Sequence, residues 1–245
     1  MPNSIKLGYA FELWVTVQND QRVLQSFMAL GYQKLDDPHA AGEGMLLTDG
    51  ILRLRLRQGS AWKAVLVYYT EKLNETVGAL EQLGVKIDKQ LDTNSQVKQV
   101  NFTDPNGLEV NVLQSEQSRL VSIPMQPISK AGRFGELSLE TNDLKGSIDF
   151  WMKLGFEPTE YMPDPPETWG SLADGLLMIG LYTKGHLQHI IKTPTITYFE
   201  ADMPQRLKHL KTEGVQFVQE LPGATGEPEH GVLDMEGQLI FLFGF

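Results

Sequence analysis

The sequence predicts an α+β protein built from four β-α-β-β-β modules. Three observations carry that prediction: the chain repeats itself, each half repeats an inner order of strand and helix patterns, and glycine turns punctuate that order. Glu12-Leu13-Trp14-Val15 returns 124 positions later as Glu136-Leu137-Ser138-Leu139, and Phe27 to Tyr32 returns at the same offset as Trp151 to Phe156. Asp49-Gly50-Ile51-Leu52 returns 125 positions later at Asp174 to Leu177. Leu80 to Val85 returns 130 positions later at Leu210 to Val215, as do Asp104 and Gly107 at Asp234 and Gly237. Small loop insertions account for the drift in offset. The duplication sets one domain at 5–115 and another at 132–245. The stretch at 116–131, aperiodic and containing Pro and Ser, reads as the linker.

Within the first repeat, residues 11–17 alternate as a strand does. Asn19 to Leu30 carries Val23, Leu24, Phe27 and Leu30 at helical spacing, and Gly31 stops it. Strands are expected near 31–36, 43–48 and 51–57, the last two joined by the Asp49-Gly50 turn. The order then recurs: a strand at 63–69, a helix at 72–83 ending at Gly84, and strands near 85–88, 97–103 and 108–113, with a turn at Asn106-Gly107. The second repeat follows suit, with helices near 143–154 and 202–213.

Composition narrows the function classes. Lys and Arg total 21 against 31 Asp and Glu, a net charge of −10, which disfavours nucleic acid and anionic membrane as partners. The excess is uneven: 12 bases and 14 acids up to Ser122, 9 and 17 after it. With no cysteine, disulfides, zinc–thiolate sites and thiol nucleophiles are excluded. No leader-like or membrane-spanning apolar run is present, so a cytoplasmic location is expected.

The modules resemble the vicinal-oxygen-chelate superfamily, which includes glyoxalase I, bleomycin-resistance proteins and extradiol dioxygenases. The resemblance rests on ELSLETNDLKGSIDFWMKLGFEP at 136–158, on DPNG at 104–107, and on the helix-to-strand joints LEQLGVKI and LKTEGVQFV, and it covers nearly the whole chain. It implies two cup-shaped domains, each an incomplete barrel with helices outside. Such a cup hosts many chemistries, so the fold does not settle function.

Strand alternation assigns residues to the cups. In the first, it places Glu12, Trp14, Arg53, Arg55, Tyr68, Glu109 and Asn111, with Val65 and Val67 turned outward. In the second, it places Glu136, Ser138, Met178, Tyr182, Ile196, Tyr198, Leu239 and Phe241. The Arg53-Arg55-Arg57 row reads either as a solvated basic face or as a grip for a carboxylate or phosphate. Metal-using relatives take His, Gln or Glu ligands from the first and fourth strands of each module. The matching positions here hold Glu12, Arg53 or Arg55, Ala64 and Asn111, then Glu136, Met178 or Gly180, Pro194 and Phe241, which is no transition-metal set. Of the five histidines (His39, His186, His189, His209 and His230), His186 and His189 are badly spaced for a strand, His209 falls mid-helix and reads as surface, and His230, entering the last hairpin near the cup mouth, reads as a loop residue with a general base as the alternative. Gly223-Ala224-Thr225-Gly226 lacks the context of a phosphate cradle.

The expectation is therefore a protein that binds a small organic molecule in a cup, with no cofactor and no metal, as a monomer or homodimer. Three alternatives stand beside it: a metal-dependent lyase, isomerase or dioxygenase with atypical ligands, a metal-free enzyme using Glu12 or Glu136 as base, and a scaffold or regulatory protein with empty cups.

Overall fold

A computed structural model describes residues 5–37, 44–93, 96–123, 125–164, 168–186, 193–223, 226–236 and 238–244, with backbone alone at 92, 93, 96, 97, 238 and 239. His39, His189, Ala224, Thr225, Gly237 and the Leu239 side chain lie outside the described residues.

In the first repeat the order is β1 (Ala10–Val17), α1 (Asp20–Ala29), β2 (Gln33–Leu35), β3 (Met45–Thr48), β4 (Arg53–Gln58), β5 (Lys63–Thr70), α2 (Leu73–Gln82), β6 (Ile87–Thr93), β7 (Gln96–Thr103) and β8 (Glu109–Gln114). The second repeat matches it with β9 (Arg133–Thr141), α3 (Leu144–Lys153), β10 (Glu157–Met162), β11 (Trp169–Ala173), β12 (Met178–Thr183), β13 (Thr195–Glu200), α4 (Met203–Thr212), β14 (Gln219–Pro222), β15 (Pro228–Met235) and β16 (Gln238–Gly244). Each repeat makes one open eight-stranded sheet, ordered β2-β3-β4-β1-β5-β8-β7-β6 and β10-β11-β12-β9-β13-β16-β15-β14. The fold is α+β, and among the described residues neither sheet closes into a barrel. β5 and β8 run parallel, as do β13 and β16. Among the described residues no helix is long and apolar enough to cross a membrane.

The helices form where the sequence starts and stops them. The Asn19 side chain accepts from the Arg22 N–H at 3.1 Å, and Asp143 accepts from the Gly146 N–H at 2.9 Å, so both supply a terminal acceptor. Each helix buries a narrow apolar stripe: Val23 and Phe27 on α1, Leu73 and Leu80 on α2, Ile148 and Trp151 on α3, Met203, Leu207 and Leu210 on α4. Every fully buried large side chain of this kind contributes about 1.5–3 kcal/mol.

By its contacts the chain gathers into two compact units, each drawn from both repeats. One comprises Met1–Trp14, Ala64–Leu120 and Leu139–Leu187, the other Val15–Lys63, Val121–Ser138 and Gln188–Phe245. A tyrosine–aspartate hydrogen bond lies inside each. In the first unit the Tyr68 hydroxyl donates to Asp174 Oδ2 at 2.7 Å, while Asp174 Oδ1 accepts the Leu176 and Leu177 N–H groups, both at 2.8 Å. In the second, Tyr198 donates to Asp49 Oδ2 at 2.6 Å, and Asp49 Oδ1 accepts from Ile51 and Leu52 at 2.8 and 2.6 Å. Tyr32 then donates to the Tyr198 hydroxyl, a bond absent from the other unit because Phe156 stands at the equivalent position. Burial pushes the Asp49 carboxyl up and holds all three phenols well above the usual tyrosine range, so the tyrosines act as donors at every working pH.

The segment after β8 makes a 3-10 turn at Gln117–Arg119 and then lies along the second unit. The Ile128 N–H donates to Asp49 O and the Lys130 N–H to Leu30 O, both at 2.8 Å. Gly50, at φ +92°, lies so close that a Cβ there would sit 1.7 Å from Gln126 O. Gly107 has a similar φ of +88° but faces open space.

Tyr198→Phe strands Asp49 Oδ2 and the Tyr32 hydroxyl in a fully buried place, at about 1–3 kcal/mol for each group. Tyr68→Phe strands only the half-buried Asp174 oxygen and should cost less in urea melts. Gly107→Ala should cost about 1–2 kcal/mol from its φ alone, whereas Gly50→Ala adds a backbone clash and should cost clearly more.

Candidate functional site

In the first unit, strands β1, β5, β8 and β7 lie side by side, and one face of this sheet carries the residues of interest. On β1, Glu12 is 1% exposed and its Oε2 accepts from the Trp14 indole N–H at 2.9 Å. Trp14 packs with Val65, Val67, Tyr69 and Leu113, and with the half-buried Tyr9 and Leu120. That contact corrects the expected facing of β5. Val65 and Val67 lie on the Trp14 face, while Tyr68 points the other way, its ring 6.4 Å from that of Phe11 and its hydroxyl on Asp174. Tyr68 therefore clasps the unit together and does not line the cup. β5 reads KAVLVYYT and is apolar on both faces, so alternation gave no signal for its register.

Register extends this face across β8 and β7. Val67 pairs with Asn111, and Asn111 with Asn101. Gln99 Nε2 donates to Asn101 Oδ1 at 2.7 Å, and Asn101 Nδ2 donates to Glu109 Oε1 at 3.3 Å. Asn111 is 5% exposed, and its Oδ1 has no hydrogen-bond partner among the described residues. Gln99 and Asn101 escaped the sequence reading, although the alternation Gln99-Val100-Asn101-Phe102 marks them.

Arg53 and Arg55 belong to the second unit. Arg55 is 1% exposed, with Nη2 on Asp37 Oδ2 at 2.6 Å, and Arg53 Nη2 donates to the Val121 carbonyl. Arg53 and Arg55 are thus buried and engaged by neighbouring oxygens, not a solvated basic face. Asp37 sits 18 residues before Arg55, outside any periodic pattern, so nothing local pointed to the pair.

In the same unit, Glu136 occupies the position equivalent to Glu12 and is 2% exposed. Its Oε1 accepts from Ser138 Oγ at 2.7 Å, and Ser138 Oγ lies 2.6 Å from Thr197 Oγ1. Thr197 pairs with Glu136 on one side and with Phe241 on the other, which puts Phe241 on this face. Ile196 and Tyr198 therefore take the opposite face, a correction parallel to that on β5. Beyond Phe241 come Phe243, 5.8 Å away between ring centres, Phe199, 5.7 Å from Phe243, and His230, stacked on Phe243 at 4.5 Å and 12°. His230 lies in β15, not in a loop. Its Nδ1 accepts from the Gly244 N–H at 3.1 Å, which leaves Nε2 to bear the proton, and burial holds the imidazole below the usual histidine range.

Met178 and Tyr182 lie on β12 in the first unit. Tyr182 pairs with Trp169, their rings stacked at 6.2 Å and 20°, and His186 stacks beyond Tyr182 at 5.7 Å. All three rings are half-buried. A groove of about 300 Å³ at the start of α2, lined by Glu71, Lys72, Lys98 and Gln114 among others, includes none of the predicted site residues.

These positions test the fit of a metal. On β9, β13 and β16 the shared face offers Glu136, Ser138, Thr195, Thr197 and Phe241: one carboxylate already engaged by Ser138, neutral hydroxyls and a phenyl ring. Such a donor set does not fit a divalent transition metal. Among the described residues no three His, Asp or Glu side chains cluster to hold one.

No family model matches the chain, and no curated protein sequence matches it. Its structure does match solved ones. Homoprotocatechuate 2,3-dioxygenase from Arthrobacter globiformis superposes with a TM-score of 0.64 at 13% identity, covering 100% of this chain and 82% of that one. The 2,3-dioxygenase LapB from Pseudomonas sp. KL28 gives 0.65 at 12%, covering 99% and 94%. A catechol 2,3-dioxygenase gives 0.59 at 14%, covering 98% and 87%. The chain thus shares the fold of these dioxygenases over nearly its whole length, with one eight-stranded sheet in each repeat.

The Arg55–Asp37 pair yields a direct test. Arg55→Met leaves a largely buried carboxylate behind and should cost up to about 3–5 kcal/mol. Adding Asp37→Leu should restore most of that loss in the same urea melts.

Proposed function

We propose that this protein binds a small, flat, largely apolar organic molecule on the cup face of its second repeat, without a metal held by that face. The observation that carries this reading is the chain Glu136–Ser138–Thr197 running into Phe241. Of the positions that match ligands in metal-using relatives, Glu136 is engaged by Ser138, which Thr197 engages in turn, and Phe241 fills another, with aromatic rings beyond it.

Phe199, Phe243 and His230 are half-buried and offer ring faces and edges to a ligand. The His230 Nε2 proton is a single donor for orienting it, in keeping with pockets that combine apolar walls with few polar groups. The likeness to the dioxygenases sustains a second reading, ring cleavage of a catechol with an atypically held iron, and the donor set counts against it.

Calorimetric titration with 1-naphthol tests the proposal. Saturable binding is expected, weakened about tenfold in Phe241→Ala, the loss of about 1.4 kcal/mol of ring contact. Catechol with added Fe(II) should give no ring-opened product. Cleavage that disappears in Glu136→Gln would establish the dioxygenase reading instead, and no binding of naphthol or catechol would leave the scaffold reading.

A further inference from the structure

We infer that the first repeat carries a second, chemically opposite site: a polar one for a small organic cation that presents N–H donors. The Asn111 side chain is 5% exposed, and its Oδ1 lacks a hydrogen-bond partner among the described residues. A buried amide oxygen left unsatisfied costs about 1–3 kcal/mol, and folded proteins rarely keep such a group without a use for it.

The neighbours of Asn111 on this face are mostly acceptors. Glu109 lies two residues before it on β8 and is half-buried. Its Oε1 takes the Asn101 amide at a long 3.3 Å, and Gln99 in turn engages Asn101 Oδ1. Gln99, Asn101 and Glu109 are half-buried whereas Asn111 is buried, so the polar row leads from solvent to the Asn111 oxygen. On the other flank, Val67 separates Asn111 from Trp14, and Trp14, Tyr69 and Leu113 form an apolar wall. Glu12, which accepts from the Trp14 indole N–H, puts a second carboxylate on this face. The cation on the outer strand is Lys89, which pairs with Asn101 on β6 and is exposed to solvent.

An oxygen awaiting a donor, a carboxylate beside it and an apolar wall suit a flat cation such as an amidine or a protonated aryl amine. An anion would meet Glu109 and Asn111 Oδ1 with like polarity. This site shares no residue with the aromatic face of the second repeat and does not rest on the reading given above.

Benzamidine is the probe, with benzoate as the anionic control of the same ring. The readout is the Trp14 indole cross-peak in a ¹⁵N-correlated NMR spectrum, assigned with Trp14→Phe, because that N–H sits on Glu12. Benzamidine should move the peak saturably at millimolar concentration or below, and benzoate should not. Asn111→Leu should weaken binding about tenfold or more, as loss of a hydrogen bond to a charged group implies. Glu109→Gln, at a half-buried position that folding tolerates, should do the same, and Phe241→Ala should change nothing. Equal binding of benzoate, full binding in both the Asn111 and Glu109 variants, or no saturable shift would each overturn the inference. Loss of benzamidine binding in Phe241→Ala would overturn it as well, by moving the ligand to the second repeat.

Discussion

The molecule depends on a pair of aspartates that do two things at once. Asp49 and Asp174 each close a turn with one carboxylate oxygen and hold a buried tyrosine hydroxyl with the other. The turn belongs to one repeat and the tyrosine to the other, so each bond ties module to module inside a compact unit. Hydrophobic burial is non-directional and by itself fixes the alignment of elements less sharply. A 2.6–2.7 Å bond from a phenol to a carboxylate fixes it more sharply, because a slip leaves two polar groups buried and unpaired. In the second unit the constraint is tighter, since Asp49 is 1% exposed and Tyr32 adds a further donor to the chain.

Much of this was legible in the sequence, and the reasons differ by element. Duplication showed because the helices keep their stop signals: Leu30-Gly31 and Leu154-Gly155 mark the same place in both repeats, and each glycine adopts the positive φ that such a stop needs. The Asp-Gly turn showed for a similar chemical reason. The facing of β5 and β13 did not, because a strand buried on both sides shows no alternation, and a one-residue error moves every side chain to the other face. The Arg53-Arg55 row misled in a different way. Period-2 alternation reports which residues share a face, but the burial of that face depends on what packs against it, here Asp37 and the Val121 carbonyl from non-periodic segments.

The candidate site was half visible in the sequence for the same physical reasons. Glu12 and Glu136 stood out as acids between apolar neighbours, and both prove buried. Their partners lie two residues on in the same strand, which is local and readable. Thr197, Phe243 and His230 join the second face only through strand pairing, and pairing between distant strands is what a single sequence conceals.

The two repeats place a glutamate at the same strand position and satisfy it differently, and from this their divergence can be reasoned. A buried carboxylate requires a donor. In the first repeat the donor is the Trp14 indole, whose bulk fills the space over β5 and leaves the neighbouring position on that strand to an apolar Val67. In the second it is the small Ser138 hydroxyl, whose oxygen must itself be engaged, and Thr197 stands at the position of Val67 to engage it. With the polar need met on β13, the next strand carries Phe241, where the first repeat, its β5 apolar, carries Asn111. The choice of donor beside the same acid thus goes with the polarity of the next strand, Val67 beside Asn111 in one repeat and Thr197 beside Phe241 in the other, on a backbone order that both repeats share.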